Sequence, residues 1–188
     1  RIYKRNTIIM KPTCVISCPI DTFSGYGARS RDFVKALIKV KGEEWDIKIL
    51  PQRWGECPWN YLSQDDPLRK RFIRGINNDN RPEIWMQVTV PNEFAPVGSV
   101  YNIGVSAGIE SNIYPGSWIE GSNKMNLNFL SSQHSKNILD NTQLEKRDNK
   151  TNQQIGTVKF EGTSEVLFEG VDLNNYYKNP EKSNILDD

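Results

Sequence analysis

The sequence predicts an α/β protein built on a doubly wound, mostly parallel, Rossmann-like sheet, and three observations predict it. Short apolar runs of the kind that buried parallel strands show recur at residues 14–20, 45–50, 83–90, 100–107 and 127–131. The segments between them change to helical spacing or to clusters of turn residues, which gives a βαβα alternation through five strands. Finally, the first run opens into SGYG, a polar turn with two glycines, and the apolar residues beyond it are spaced as on a helix. A strand, a glycine turn and a helix start form a ready anion site, because glycine admits a close approach and the first helical amides carry unpaired N–H groups.

Bulk properties bound the rest. The chain has 188 residues and a formal net charge of +1, enough length for one domain with a sizeable core. Lys and Arg are spread along it rather than gathered in the basic stripe a nucleic-acid backbone needs, so nucleic acid is not an expected partner. No apolar run approaches the roughly 20 residues of a membrane span. The opening RIYKRNTIIMKP is too short in its apolar part for a signal peptide, and a cytoplasmic location is expected. The first residue is Arg rather than Met, which suggests a trimmed chain.

The three cysteines fit that compartment. Cys14 and Cys18 stand on one face of the first strand about 13 Å apart, beyond the roughly 7 Å Cα limit of a disulfide, and are expected to be buried thiols. A zinc site from Cys14, Cys18, Cys57 and His134 would lack a close ligand pair, so no metal is expected.

In chain order, residues 2–10 alternate weakly and are expected to form a leader or an edge strand. After the first strand, Phe33, Leu37 and Val40, with Val34 and Ile38 beside them, make an apolar helix stripe capped by Ser24 or Ser30 and ended by Gly42. WDIKIL at 45–50 alternates as a half-buried second strand does. PQRWGECPWNYL, residues 51–62, has no period and reads as a loop at the ligand-binding edge of the sheet; Trp54, Trp59 and Tyr61 there offer either a platform for a sugar ring or packing against the sheet. Asp65 and Asp66 before Pro67 read as a helix start, with Leu68, Phe72, Ile73 and Ile76 as its buried face. Residues 91–98 are a turn-rich crossing, 115–125 a short helix, and Ser131 or Ser132 caps a helix running to Leu139. Residues 140–154 are almost wholly polar and read as a mobile surface excursion. TVKF and EVLF, around residues 161–164, read locally as a β-hairpin, or else residues 165–168 supply a sixth sheet strand. After Tyr177 no core pattern remains.

Three stretches in this order, SGYGARSRDFVKAL, then VSAGIESNIYPGSWIEGSNKMNLNFLSSQHSKNIL, then VLFEGVDLNNYY, resemble the amino-terminal half of a GT-B glycosyltransferase of the family 4 type. The resemblance covers residues 13–177. It rests on the glycine loop after the first strand, the acid after a later strand, the tryptophan-bearing helix, the Ser132-x-x-Ser135-Lys136 element and the closing Gly170-Val171-Asp172. It implies that residues 178–188 lead toward a carboxyl-terminal donor domain, absent from this chain, and that this half holds the acceptor side of an enzyme moving a sugar from a nucleotide-sugar donor to a sugar or lipid-linked acceptor hydroxyl. The donor would be a substrate, with no separate cofactor or metal, and the isolated half is expected to be inactive.

The resemblance and the residues together nominate a site. Ser24, Gly25, Tyr26 and Gly27 would hold donor phosphates, since a departing nucleoside diphosphate gathers charge that fixed N–H donors stabilise; a plain tight turn is the simpler reading. Arg29 and Arg31 would add positive charge, with Arg29 also facing the acceptor together with Trp54, Trp59, Ser111 and Asn112. Glu110, at the end of the fourth strand, is the candidate catalytic carboxylate, orienting an acceptor hydroxyl; a solvated surface acid is its plain alternative. His134 and Lys136 read as helix residues. Two other classes stay open: a noncatalytic Rossmann-like binding domain, and a nucleotide-cofactor oxidoreductase or epimerase. The last would want an acid at the end of the second strand, where Leu50, Pro51 and Gln52 stand.

Overall fold

A computed structural model describes residues 11–77, 81–148, 150–170 and 173. The proposed leader at 2–10, Val171 and Asp172 of the Gly-Val-Asp element, and the tail at 178–188 lie outside them. In chain order the elements are β1 (Thr13–Cys18), α1 (Gly25–Lys41), β2 (Asp46–Pro51), β3 (Ile84–Val88), β4 (Tyr101–Ser106), α2 (Gly116–Ser122), β5 (Leu127–Leu130), α3 (Gln133–Asn141), β6 (Gln143–Arg147), β7 (Gln154–Lys159) and β8 (Ser164–Val166). Six strands form one sheet in the order β2-β1-β3-β4-β5-β8, and every pairing in it is parallel. The fold is Rossmann-like α/β.

Alternation along the strands assigns the two faces. Cys14, Ile16, Cys18, Met86, Val88, Ile103 and Val105 pack with Val34 of α1 on one face. Leu130, aligned with Ser106 and therefore on the opposite face from Val105, packs with Ile119 of α2 and Leu139 of α3. Helices thus cover both faces, as expected when right-handed crossovers run leftward from β1 to β2 and rightward from β4 onward. The direction reverses between β1 and β3. In open α/β sheets the crevice outside the carboxyl ends of the strands at such a reversal is where ligands bind.

Four expectations need correction. The βαβα alternation is incomplete: short 3₁₀ turns, Pro67–Arg71 and Pro91–Glu93, stand where helices would connect β2 to β3 and β3 to β4. The first ends at Phe72, whose N–H still donates to the Arg69 carbonyl at 3.1 Å, because Phe72 bridges to Ile49 and the next amide, Ile73 N–H, donates to the Ile49 carbonyl at 2.8 Å; the open edge of β2 takes that amide. On α1 the expected stripe holds for Val34, which is buried, and for Phe33, Leu37 and Ile38, which pack half-buried against the core; Gly27, Ser30 and Arg31 are buried as well, and only Val40 departs, being exposed. Residues 140–154 are not one excursion, because the end of α3 and β6 fall within them, and β6 pairs antiparallel with β7, placing Leu144 opposite Val158. TVKF therefore pairs with β6 rather than forming a hairpin with EVLF, and the alternative of a sixth sheet strand near residues 165–168 holds, since β8 joins the main sheet beside β5.

Candidate functional site

The turn after β1 is locked by a chain of small hydrogen bonds. The Thr22 hydroxyl donates to the Pro19 carbonyl at 2.8 Å, so its single proton is spent and the Ser24 hydroxyl, 2.8 Å away, donates to it. Ser24 Oγ in turn accepts from the Gly27 N–H at 2.9 Å, which caps α1. Gly27 is required by space: a Cβ there would lie 2.4 Å from the Thr22 carbonyl oxygen and 3.0 Å from that of Pro19. Gly25 differs. A Cβ there would meet nothing within 4 Å, and the amides of Gly25 and Tyr26 make no backbone bond to another described residue. The nominated phosphate loop therefore divides into Ser24 and Gly27, which hold the turn, and Gly25 and Tyr26, whose amides have no backbone partner, with open space beside the Gly25 Cα.

Two buried charges brace this turn. Arg31 donates to the carbonyls of Ile20 and Thr22 at 2.9 and 3.0 Å and lies 3.5 Å from the centre of the Tyr61 ring, so its charge is committed to the turn and is not offered to a phosphate. Asp21, 1% exposed, accepts from the Leu62 N–H at 2.8 Å and pairs with Arg69 at 3.0 Å. That pair staples the long loop after β2 onto the turn after β1. The signal in the sequence was a lone acid directly after an apolar strand.

Tyr26 links the turn to the rest of the rim. Its ring stacks on Trp54 with centroids 4.1 Å apart, and its hydroxyl accepts from the Ala107 N–H at 3.2 Å. Trp54 thus packs, while Trp59 is half-buried with Arg53 beside its ring. Phe23 and Tyr61, 54% and 47% exposed, meet edge to face beside the start of α1.

Beyond Ala107, Gly108 adopts φ +91°, and a Cβ would lie 2.2 Å from Ser135 Oγ. Ser135 both donates to the Ile109 carbonyl and accepts from its N–H at 3.1 Å, and Ser131 donates to the Ala107 carbonyl. Lys136 is not simply solvated: its Nζ donates to Ser164 Oγ at 2.7 Å and to Asp140 at 2.7 Å, tying α3 to β8. Held on this base, Glu110, Ser111 and Asn112 stand exposed; Ser111 donates to the Ile113 carbonyl at 2.9 Å. Tyr114 beneath them is fully buried, and burial raises its hydroxyl above the ordinary tyrosine range, with Ser106 beside it offsetting part of that. His134 is exposed in the first turn of α3.

Gly25 and Glu110 follow the carboxyl ends of β1 and β4, with β3 between those strands. They stand along one rim. The structure does not gather all the nominees into one hollow, however. A groove of about 880 Å³ runs along α1 and is lined by Gly25, Tyr26, Arg29, Phe33, Ala107 and Phe168 among others. Arg29 there is paired with Glu169, and burial lowers its pKa. Trp54 instead lines a smaller cavity of about 230 Å³ at the reversal between β1 and β3. Trp59, Glu110, Ser111 and Asn112 line neither.

Burial pushes the Cys14 and Cys18 thiols up to about 12, which makes them inert core residues. Among the described residues no group of three or more His, Cys, Asp and Glu is placed to hold a metal ion, and no helix is long and apolar enough to cross a membrane. Comparison with protein-family models, curated proteins and solved structures found no match. The fold and the rim define a class, a Rossmann-like α/β domain with its loops gathered at the carboxyl edge of a parallel sheet.

Proposed function

We propose that this chain is the acceptor-side lobe of a cytoplasmic two-lobed glycosyltransferase, which moves a sugar from a nucleotide-sugar donor to a hydroxyl of a sugar or lipid-linked acceptor. The observation that carries the reading is the open space over Gly25, with its amide and that of Tyr26 unpaired at the start of α1, on the same rim as Glu110. In this reading the two N–H groups meet donor phosphate oxygens as the diphosphate leaves, worth a hundredfold or more in rate by the usual order of magnitude for such donors (about 10²). Glu110 accepts a hydrogen bond from the acceptor hydroxyl and orients it. Ser111, Asn112, Trp59 and Arg29 bound the acceptor side, and a second, donor-holding lobe closes over the rim.

The test is calorimetric titration of the chain with uridine and guanosine diphosphates. Saturable binding is expected, weakened at least tenfold in Gly25→Val with unfolding temperature unchanged; binding indifferent to that substitution would overturn the reading. In a longer protein carrying both lobes, Glu110→Ala is expected to lower transfer by about a hundredfold. A noncatalytic binding domain is the second reading, favoured by the exposure of Glu110 outside both hollows. It predicts diphosphate binding and Gly25 sensitivity with transfer unaffected by Glu110→Ala. The oxidoreductase or epimerase reading lacks its ribose-binding acid, since β2 ends in Pro51 and Gln52 follows.

A further inference from the structure

A hollow of about 630 Å³ lies along the outer edge of the sheet, bounded by the second half of α1, the first half of β2 and the 3₁₀ turn Pro67–Arg71. Asp46 to Lys48, which line it, pair with Thr13 to Val15 at the start of β1, so it sits toward the amino ends of the strands and away from the rim that carries Gly25. Four cations line it, Lys35, Lys48, Lys70 and Arg71, against one carboxylate, Asp46. Asp46 is already answered by Lys48, at 3.3 Å. Lys35 and Lys70 are exposed and make no hydrogen bond or ion pair with another described residue. Arg71 is fixed in place, its Nη1 donating to the Ile47 carbonyl at 3.0 Å, and its guanidinium has further donors to offer. The chain's net charge is only +1, so a general excess of base does not account for three cations without a counter-charge in one hollow. Like charges gathered in this way repel, and an anion among them relieves the repulsion. Between the cations the lining is apolar, with Ile38 of α1 and Phe72 and Ile73 beyond the turn all half-buried.

We propose that this hollow binds a small organic phosphate, a phosphate monoester carried on an apolar body. The Arg71 guanidinium, planar and held on β2, suits phosphate oxygens, while Lys35 and Lys70 close on the same group as point charges on flexible stems. A dianion answers more of the three charges than a carboxylate does, and the apolar body covers Ile38, Phe72 and Ile73. The size agrees, since about 630 Å³ falls within the range of about 300–1,000 Å³ that small-molecule sites occupy. The site is separate from the Gly25 turn and does not rest on the sugar-transfer reading.

Phenyl phosphate is the probe. In the ¹⁵N-labelled chain its titration is expected to move the amide signals of Ile38, Ile47, Arg71, Phe72 and Ile73 saturably, with an affinity near about millimolar for so few atoms. Lys35→Gln and Lys70→Gln, both at exposed positions, should each weaken binding about threefold with the unfolding temperature unchanged, and added sodium chloride should weaken it further. Inorganic phosphate and phenol, which each carry half of the match, should bind at least about tenfold more weakly. Inorganic phosphate binding as tightly as phenyl phosphate, shifts confined to residues 25–28, an affinity indifferent to both lysine substitutions, or no saturable shift in a chain whose spectrum shows it folded would each overturn the proposal. The same chemistry is found in phosphatidic acid, so vesicles of phosphatidic acid in phosphatidylcholine form the second arm. The chain is expected not to sediment with them; sedimentation that the two lysine substitutions abolish, without binding of phenyl phosphate, would overturn the proposal in favour of a lipid surface.

Discussion

The two glycines of the first turn make opposite predictions. Placing Ala at Gly27 drives a methyl to 2.4 Å from the Thr22 carbonyl oxygen and 2.7 Å from its hydroxyl, with the Pro19 carbonyl at 3.0 Å. The obstacle is mostly backbone. Overpacking of this kind costs about 1–3 kcal/mol, and displacing Thr22 also strains its bond to Ser24, worth about 1 kcal/mol. Against this, replacing a helical glycine by alanine returns up to about 1 kcal/mol. The net is a loss of about 2 kcal/mol, and at about 2–4 °C per kcal/mol for a chain of this length the midpoint should fall by about 4–8 °C. Gly25→Ala meets nothing within 4 Å and should be neutral or stabilising by about 0.5 kcal/mol. Differential scanning calorimetry on the two variants reads both numbers. Equal midpoints for the two would refute the division of the turn into a structural glycine and an open one, and with it the reason for placing a ligand over Gly25.

Other consequences follow from the same contacts. Arg69→Met strands the buried Asp21 carboxylate and should cost about 3 kcal/mol in urea unfolding; a loss under about 1 kcal/mol would show that the loop after β2 is not stapled through this pair. Cys57, half-buried, should react with iodoacetamide in the native protein while Cys14 and Cys18 do not. Because folding raises those two thiols from 9.0 to about 12, the stability they contribute is whole below about pH 9 and is lost as pH rises toward 12. Alkaline unfolding midpoints of Cys18→Ala against the parent check that sign. Lys136→Met removes the bonds to Ser164 and Asp140 and should destabilise by about 1.5–3 kcal/mol, with amides of β8 losing protection from hydrogen exchange first.

Strand positions were legible where a strand is buried on at least one face, because burial imposes the apolar run. Residues 100–107 and 127–131 differ by at most one residue at each end from β4 and β5. The connection at 65–76 misled because Phe72 and Ile73 satisfy a helical pattern and an edge pairing alike, and only the neighbouring strand decides between them. β6 was invisible for the opposite reason. Its single apolar residue, Leu144, needs only Val158 across from it, and a one-residue signal has no period. Within the site, Ser24 as the cap of α1 could be read from the chain. The Asp21–Arg69 pair and the Tyr26 bond to Ala107 join residues 48 and 81 positions apart, a separation that local patterns do not reach.

Bonding state now separates residues that the family resemblance had weighted alike. Ser135, Lys136, Arg31, Ser24 and Gly27 are each committed to a neighbour or filled by one, so a ligand could engage them only by breaking what holds the rim. Gly25, Glu110 and Asn112 are not so committed, and Tyr26 is committed through its side chain but not its amide: the amides of Gly25 and Tyr26 have no backbone partner, and Glu110 and Asn112 stand exposed. A residue that both shapes a site and binds its ligand shows one combined loss on mutation, which cannot be apportioned. Here the two roles fall on different residues a position or two apart. Stability measurements on the Gly27 and Ser24 side and binding measurements on the Gly25 side can therefore be read independently, and agreement between the two sets would argue that they report one rearranged turn rather than a site.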